Sequence, residues 1–230
     1  MAVDGPGGEA ASLEAVTPGG PRAAVAAVVR RFAVSLTIMG IVVGLQAATA
    51  LYAGLHPWLT EHFGVDWETF RQGQWYRFAV SPLFQHSPGF GGLNQFLILL
   101  VPVLEWRAGP RLTLAVFALG DWLSTIPALV FLRVAGEWNA TAMAAANTLD
   151  SGSSSASIAV AAALAVLVPQ RRLRIGCLAA LFGALILRVL LYGNEYDWQH
   201  LLAGCVGAAL AVVARRDIAS RSRMKRPPER

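Results

Sequence analysis

The strongest constraint on this chain is a series of long apolar runs almost free of charge, at about residues 32–55, 90–106, 112–132, 152–168, 173–192 and 198–214. A helix needs roughly 20 apolar residues to cross the hydrocarbon core of a bilayer, and these runs are close to that length. Backbone polar groups cannot stay unpaired in lipid, so spans of this kind must be helices. Composition agrees: 55% of the 230 residues are hydrophobic and 14% are charged, against about 25% charged in an ordinary soluble domain. The expected fold class is an all-α membrane protein with six spans in a membrane domain covering residues 32–214.

Charge asymmetry orients the bundle. Most of the 19 basic residues fall on one side: Arg22, Arg30 and Arg31 before the first span, Arg107 and Arg111 after the second, Arg171, Arg172 and Arg174 after the fourth, and the tail from Arg215 onward. The opposite loops hold Glu61, Asp66, Glu68, Glu137, Asp150, Glu195 and Asp197. The basic side is expected to be cytoplasmic, with both termini inside. Residues 1–31 are expected to be a disordered cytoplasmic tail; residues 1–21 are aperiodic and rich in Gly, Ala, Pro and Glu, with no secretory-signal pattern. Residues 215–230 are expected to be a basic cytoplasmic tail beside anionic lipid. Arginine dominates over lysine, of which Lys225 is the only one, a usage that fits a bacterial cytoplasmic (plasma) membrane protein from a high-GC genome. Cys177 and Cys205 lie inside apolar runs and read as packing residues.

The first outer segment, residues 57–89, carries Trp58, Phe63, Trp67, Phe70, Trp75, Tyr76, Phe78 and Phe84. Aromatic residues at this density favour the headgroup level. They read either as a belt of interfacial anchors or as a structured loop that shields a site from lipid. Small residues recur at helix-contact spacing: Gly40 and Gly44 in the first span, Ala and Ser through the fourth, Gly204 and Gly207 in the sixth. Each predicts close packing of helix backbones.

Polar side chains inside spans usually have a reason. With 1.5 Å of rise per residue, Ser154 on the fourth span, His200 on the sixth and Asn94 on the second fall within about one or two turns of the outer boundary. His86 lies just outside the second span. A serine, a histidine and an amide at one depth are the parts of an acyl-transfer site. The hydroxyl needs an adjacent base to become a nucleophile, and the tetrahedral intermediate needs hydrogen-bond donors, which Asn94 and the serine backbone N–H supply. Taken singly, each has a plainer reading as an N-cap or an interfacial anchor; which of Ser153, Ser154 and Ser155 faces the histidine is open at this point.

Four stretches in the same order resemble the rhomboid family of intramembrane serine proteases. They are Gly73-Gln74-Trp75-Tyr76-Arg77-Phe78 followed by Phe84-Gln85-His86; Asn94, with Glu105-Trp106-Arg107-Ala108-Gly109 closing the second span; Gly152-Ser153-Ser154-Ser155; and His200-Leu201-Leu202-Ala203-Gly204 with Gly207. The resemblance covers residues 32–214 and implies a six-span rhomboid-like bundle, N-in and C-in. It implies Ser154 as nucleophile, His200 as general base and acid without an acidic third member, Asn94 and His86 at the oxyanion, and structural roles for Arg77, Glu105, Gly109 and Gly152. The implied substrate is a transmembrane segment of a single-span or multi-span membrane protein.

The chain departs from the family pattern where Ser155 stands for a glycine, Phe90 for a histidine, Tyr76 parts Trp75 from Arg77, and Gly204 follows His200 by four residues. Those departures carry the alternative reading, a catalytically inactive rhomboid-like protein that binds membrane clients. No cofactor is expected. No metal is expected either, since His56, His62, His86 and His200 show no ligand spacing, and nothing in the pattern points to nucleic acid. A transporter would be expected to show a duplicated half, which is not apparent.

Overall fold

A computed structural model of the chain describes residues 21–90 and 94–224. Among them the architecture is all-helical, and the β pairing is an isolated antiparallel bridge between Val65 and Asp150. The helices are α1 (Pro21–Arg31), α2 (Ala33–Leu51), α3 (Leu55–Phe63), α4 (Trp67–Arg71), α5 (Tyr76–Val80), α6 (Gln95–Ala108), α7 (Pro110–Ala135), α8 (Ala140–Ala146), α9 (Ser154–Leu167), α10 (Arg171–Leu191) and α11 (Glu195–Met224). Residues 1–20 and 225–230 of the expected tails, and residues 91–93 of the expected second span, lie outside the described residues. Residues 21–31, expected as tail, are the helix α1, and α11 runs well into the expected basic tail.

Among the described residues, four helices are long and apolar enough to cross a membrane: Ala33–Leu51, Pro110–Ala135, Arg171–Leu191 and Tyr196–Arg216. The other two apolar runs give the 14-residue helices α6 and α9, each about 21 Å long and so short of the roughly 30 Å hydrocarbon thickness. α9 is the centre of the bundle. Ala156, Ala159, Val160, Ala162 and Ala163 are fully buried, and α6, α7, α10 and α11 pack around it.

Small residues set how close that packing is. A Cβ added to Gly207 of α11 would lie 2.0 Å from the Ala159 carbonyl oxygen, and one added to Gly120 of α7 would lie 2.3 Å from the Ala159 Cβ. Both partner helices therefore ride directly on the α9 backbone. Gly40 and Gly44 do not take part: nothing would touch a Cβ at either. α2 packs instead through Ser35, Ile38, Val42, Gln46 and Thr49, a 3–4-residue stripe that turns the two glycines outward. The packing expected of Gly40 and Gly44 is thus replaced by a different face of the same helix.

The turns around the bundle are closed by polar side chains reaching across it. Glu105, fully buried at the end of α6, accepts the backbone N–H groups of Val34 (3.0 Å) and Ser35 (2.7 Å) and the Ser35 hydroxyl. These are first-turn donors of α2, which have no partner inside their own helix. Gly109, at φ +83°, then reverses the chain between α6 and α7, a conformation that glycine adopts without steric penalty. In the aromatic outer segment the buried Arg77 donates to the carbonyls of Glu61 (2.9 Å) and Gly64 (2.8 Å) and to the Gln74 side chain (2.6 Å). Trp122 of α7 donates to the Phe78 carbonyl at 2.7 Å. The segment is a folded set of short helices, not a free loop. Cys177 and Cys205 are both free.

Candidate active site

The segment that presents the serines is held from two sides before α9 begins. Asp150 pairs with Val65 through both backbone bonds of the bridge, and the Gly152 N–H donates to the Ser81 carbonyl at 3.0 Å. Gly152 sits at φ +126°, a backbone region that side-chain-bearing residues rarely adopt. The chain leaves this turn directly into the first turn of α9.

There the three serines diverge. Ser155 is buried, and Ser153 is fully buried and turned toward Gln85 and Asn94. Ser154 is the one exposed to the cleft, and its Oγ lies 3.0 Å from the Nε2 of His200. That is hydrogen-bond distance between a hydroxyl and a ring nitrogen on helices far apart in sequence. When Nδ1 carries the ring proton, the hydroxyl donates to Nε2, which is the polarity a serine–base pair needs. Among the described residues no carboxylate bonds the Nδ1 of His200. The pair borders a cavity of about 280 Å³ whose lining includes Asn94, Phe96, Leu100, Leu181, Leu185 and Arg188. Its walls come from α6, α9 and α10, and a second cavity of about 490 Å³ continues below it between the same three helices.

Comparison with protein-family models, with curated proteins and with solved structures finds no match.

Asn94 reaches the cavity as the N-cap of α6, where its Oδ1 accepts the Leu97 N–H at 3.3 Å. Its amide nitrogen donates to Ser157 Oγ at 2.8 Å and Ser153 Oγ at 3.3 Å, so its two protons are already directed at neighbouring hydroxyls. His86 is exposed, its side chain forms no hydrogen bond among the described residues, and it does not line the cavity beside the dyad, although its backbone N lies close to the Gly152 turn. The next residue back points inward in its place. Gln85 is buried, its Nε2 donates to Ser153 Oγ at 3.1 Å, and its backbone carbonyl bonds His56 Nε2 at 3.0 Å. In an irregular stretch, adjacent side chains point in different directions, and depth along the chain alone does not choose between them. The turn ahead of Asn94 is fastened to α2, where Gln46 donates to the Ser87 and Gly89 carbonyls and the Thr49 hydroxyl accepts the Gly89 N–H. Phe90, where the family pattern has a histidine, is 56% exposed.

The first N–H groups of α9 are further donors. Its N-cap residue makes no side-chain cap bond, and the opening N–H groups of any helix have no intrahelical acceptor. They belong to Ser154, Ser155 and Ala156, at the same end of α9 as the Ser154 hydroxyl.

One pair near the dyad escapes sequence reasoning. Arg188 of α10 lines the cavity and its Nε donates to Asp197 Oδ1 at 2.8 Å, one turn before His200 on α11. The Asp197 side chain is fully buried, and its Oδ2 has no hydrogen-bond partner among the described residues. From sequence Asp197 is an outer-loop acid like Glu195. The signal that could have found the pair is an arginine, Arg188, near the outer end of an otherwise apolar span, which calls for a nearby acid.

Proposed function

We propose that this chain is a rhomboid-like intramembrane serine protease that cleaves transmembrane segments of other membrane proteins. The observation that carries the reading is the 3.0 Å contact between Ser154 Oγ and His200 Nε2 at the wall of an apolar cleft. In this reading α2, α6, α7, α9, α10 and α11 are six membrane-embedded helices, with both termini on the cytoplasmic face of a bacterial plasma membrane. α9 can be short because the surrounding helices cover what lipid would otherwise touch; irregular backbone at membrane depth is tolerated where it is buried in protein.

The chemistry follows from the pair. As Ser154 Oγ attacks the scissile carbonyl carbon, its proton passes to His200 Nε2, and the carbonyl π electrons move onto oxygen. The α9 N–H groups, and Asn94 if it releases Ser157, donate to that oxyanion. The imidazolium then returns the proton to the leaving amine as the C–N bond breaks. Water, deprotonated by the same imidazole, hydrolyses the acyl-enzyme. The cleft between α6 and α10 is the route by which a substrate helix enters sideways from lipid. Arg77, Glu105, Gly109 and Gly152 serve this site structurally, by holding the outer segment, the α2 start, the α6–α7 reversal and the turn into α9.

A second reading is favoured by one specific set of observations: Asn94 is committed to serine hydroxyls, His86 is exposed, and Phe90 is apolar. A site with no side-chain donor free for the oxyanion fits a catalytically inactive client-binding protein, since losing one donor costs about 10²–10³ in rate. Labelling of the purified chain by a fluorophosphonate separates the two. The protease reading expects covalent labelling that is lost in Ser154→Ala and in His200→Ala. Absence of labelling in the wild-type chain favours the inactive reading, and labelling that persists in Ser154→Ala removes the assigned nucleophile.

A further inference from the structure

At the opposite end of the bundle from the dyad, a cavity of about 390 Å³ opens between α9, α10 and α11, lined by Val166, Arg174, Leu178, Val212, Arg215 and Arg216. We propose that it binds the headgroup phosphate of an anionic glycerophospholipid, with the start of the lipid's glycerol and acyl portion on its apolar floor.

Three observations converge on that ligand. The first is charge. Three arginines from two different helices line one cavity, and none of them forms an ion pair with a carboxylate among the described residues. Arginine presents a planar fork of donors that matches phosphate oxygens and is only weakly hydrated. Arg174 is partly immobilised already, its Nη1 donating to the Val168 carbonyl at 3.3 Å, at the C-terminal end of α9. That bond leaves the rest of its fork for a ligand.

The second is depth. Arg215 and Arg216 close the apolar stretch Tyr196–Arg216, and Arg174 lies in the first turn of the apolar helix Arg171–Leu191. Both sets stand at a boundary of the hydrocarbon region, where lipid phosphates lie. The third is the floor. Val166, Leu178 and Val212 line the same cavity, giving it an apolar side that a free phosphate has no use for and that a lipid's glycerol and first methylenes fill. A basic pocket between membrane helices is the expected architecture for an anionic headgroup, whereas arginines that merely anchor a helix end spread into water without a shared cavity.

The test uses the full-length chain, purified in a neutral detergent, and native mass spectrometry with phosphatidylglycerol or phosphatidylcholine of identical acyl chains. The expected result is at least tenfold stronger retention of phosphatidylglycerol, with no comparable adduct from water-soluble glycerol phosphate. The triple variant Arg174→Gln, Arg215→Gln, Arg216→Gln is expected to lose that preference. The triple variant Arg111→Gln, Arg171→Gln, Arg172→Gln removes the same charge from outside the cavity and is expected to keep it. Equal retention of the two lipids by the wild-type chain overturns the proposal without recourse to any variant. So does an equal loss in both triple variants, which marks general surface attraction, or binding of glycerol phosphate as tight as that of the lipid.

Discussion

Replacing Gly207 with alanine tests whether the α9–α11 backbone contact sets the dyad distance. The added Cβ would fall 2.0 Å from the Ala159 carbonyl oxygen and 2.6 Å from its Cα. These are backbone atoms, so no side-chain rotation relieves the clash. A carbon–oxygen approach of about 3.3 Å is near the closest that packed helices tolerate, so α11 must move about 1.3 Å away from α9. The contact lies seven residues beyond His200 and five beyond Ser154, about 10 Å and 7.5 Å along the two helices. Carried to the outer end, the movement lengthens the 3.0 Å contact to about 4.3 Å, past any hydrogen bond. A displacement of that order costs about 10²-fold in rate, and overpacking a close-packed contact costs about 1–3 kcal/mol in stability. The assay is the fluorophosphonate labelling rate of the full chain, with thermal unfolding in the same detergent. Gly40→Ala and Gly44→Ala are the controls, since nothing would touch either new methyl, and neither should destabilise the chain, alanine inside a helix being about 0.5–1 kcal/mol more favourable than glycine. The thermal arm holds whether or not the chain is an enzyme. A Gly207→Ala protein that unfolds and labels like wild type refutes the claim that this contact positions the histidine.

Two further perturbations probe the polar fastenings. Glu105→Ala leaves the Val34 and Ser35 N–H groups and the buried Ser35 hydroxyl without an acceptor, at about 1–3 kcal/mol for each donor that finds no substitute. The expected outcome is a large fall in unfolding temperature, with faster hydrogen exchange confined to the start of α2; exchange unchanged there contradicts the capping role. Arg188→Gln leaves the fully buried Asp197 carboxylate with a neutral partner and should destabilise the chain by about 1–3 kcal/mol, less than a wholly buried pair because Arg188 is itself half-exposed. The double variant Arg188→Gln, Asp197→Asn should recover part of that loss in the same melting assay, and failure to recover any of it argues against a direct pair.

Much of the helical frame is legible in the residues. α2, α7, α10 and α11 fall where the long apolar runs place them, because run length against bilayer thickness is a local property. The serine and histidine are legible as partners by depth, since 1.5 Å of rise per residue converts position along a helix into height in the bundle. The four-stretch pattern in which they sit names Ser154 among three consecutive serines. In the fold, Ser153 and Ser155 turn into the bundle and Ser154 alone meets the imidazole.

What the residues could not decide is azimuth, the direction each side chain takes around its axis. Gly40 and Gly44 have the spacing of a helix contact, yet α2 uses another face; Gly207 and Gly120 make the close approaches because they meet Ala159 on the buried central helix. Gln85 points inward where His86 was expected, and Asp197 is drawn into the interior by Arg188 of a different helix. Thus the amino-acid sequence by itself determines an apolar helical chain and the heights of its polar groups. Only tertiary packing decides which of those groups face one another, because rotation of a helix about its axis costs little until its neighbours are in place.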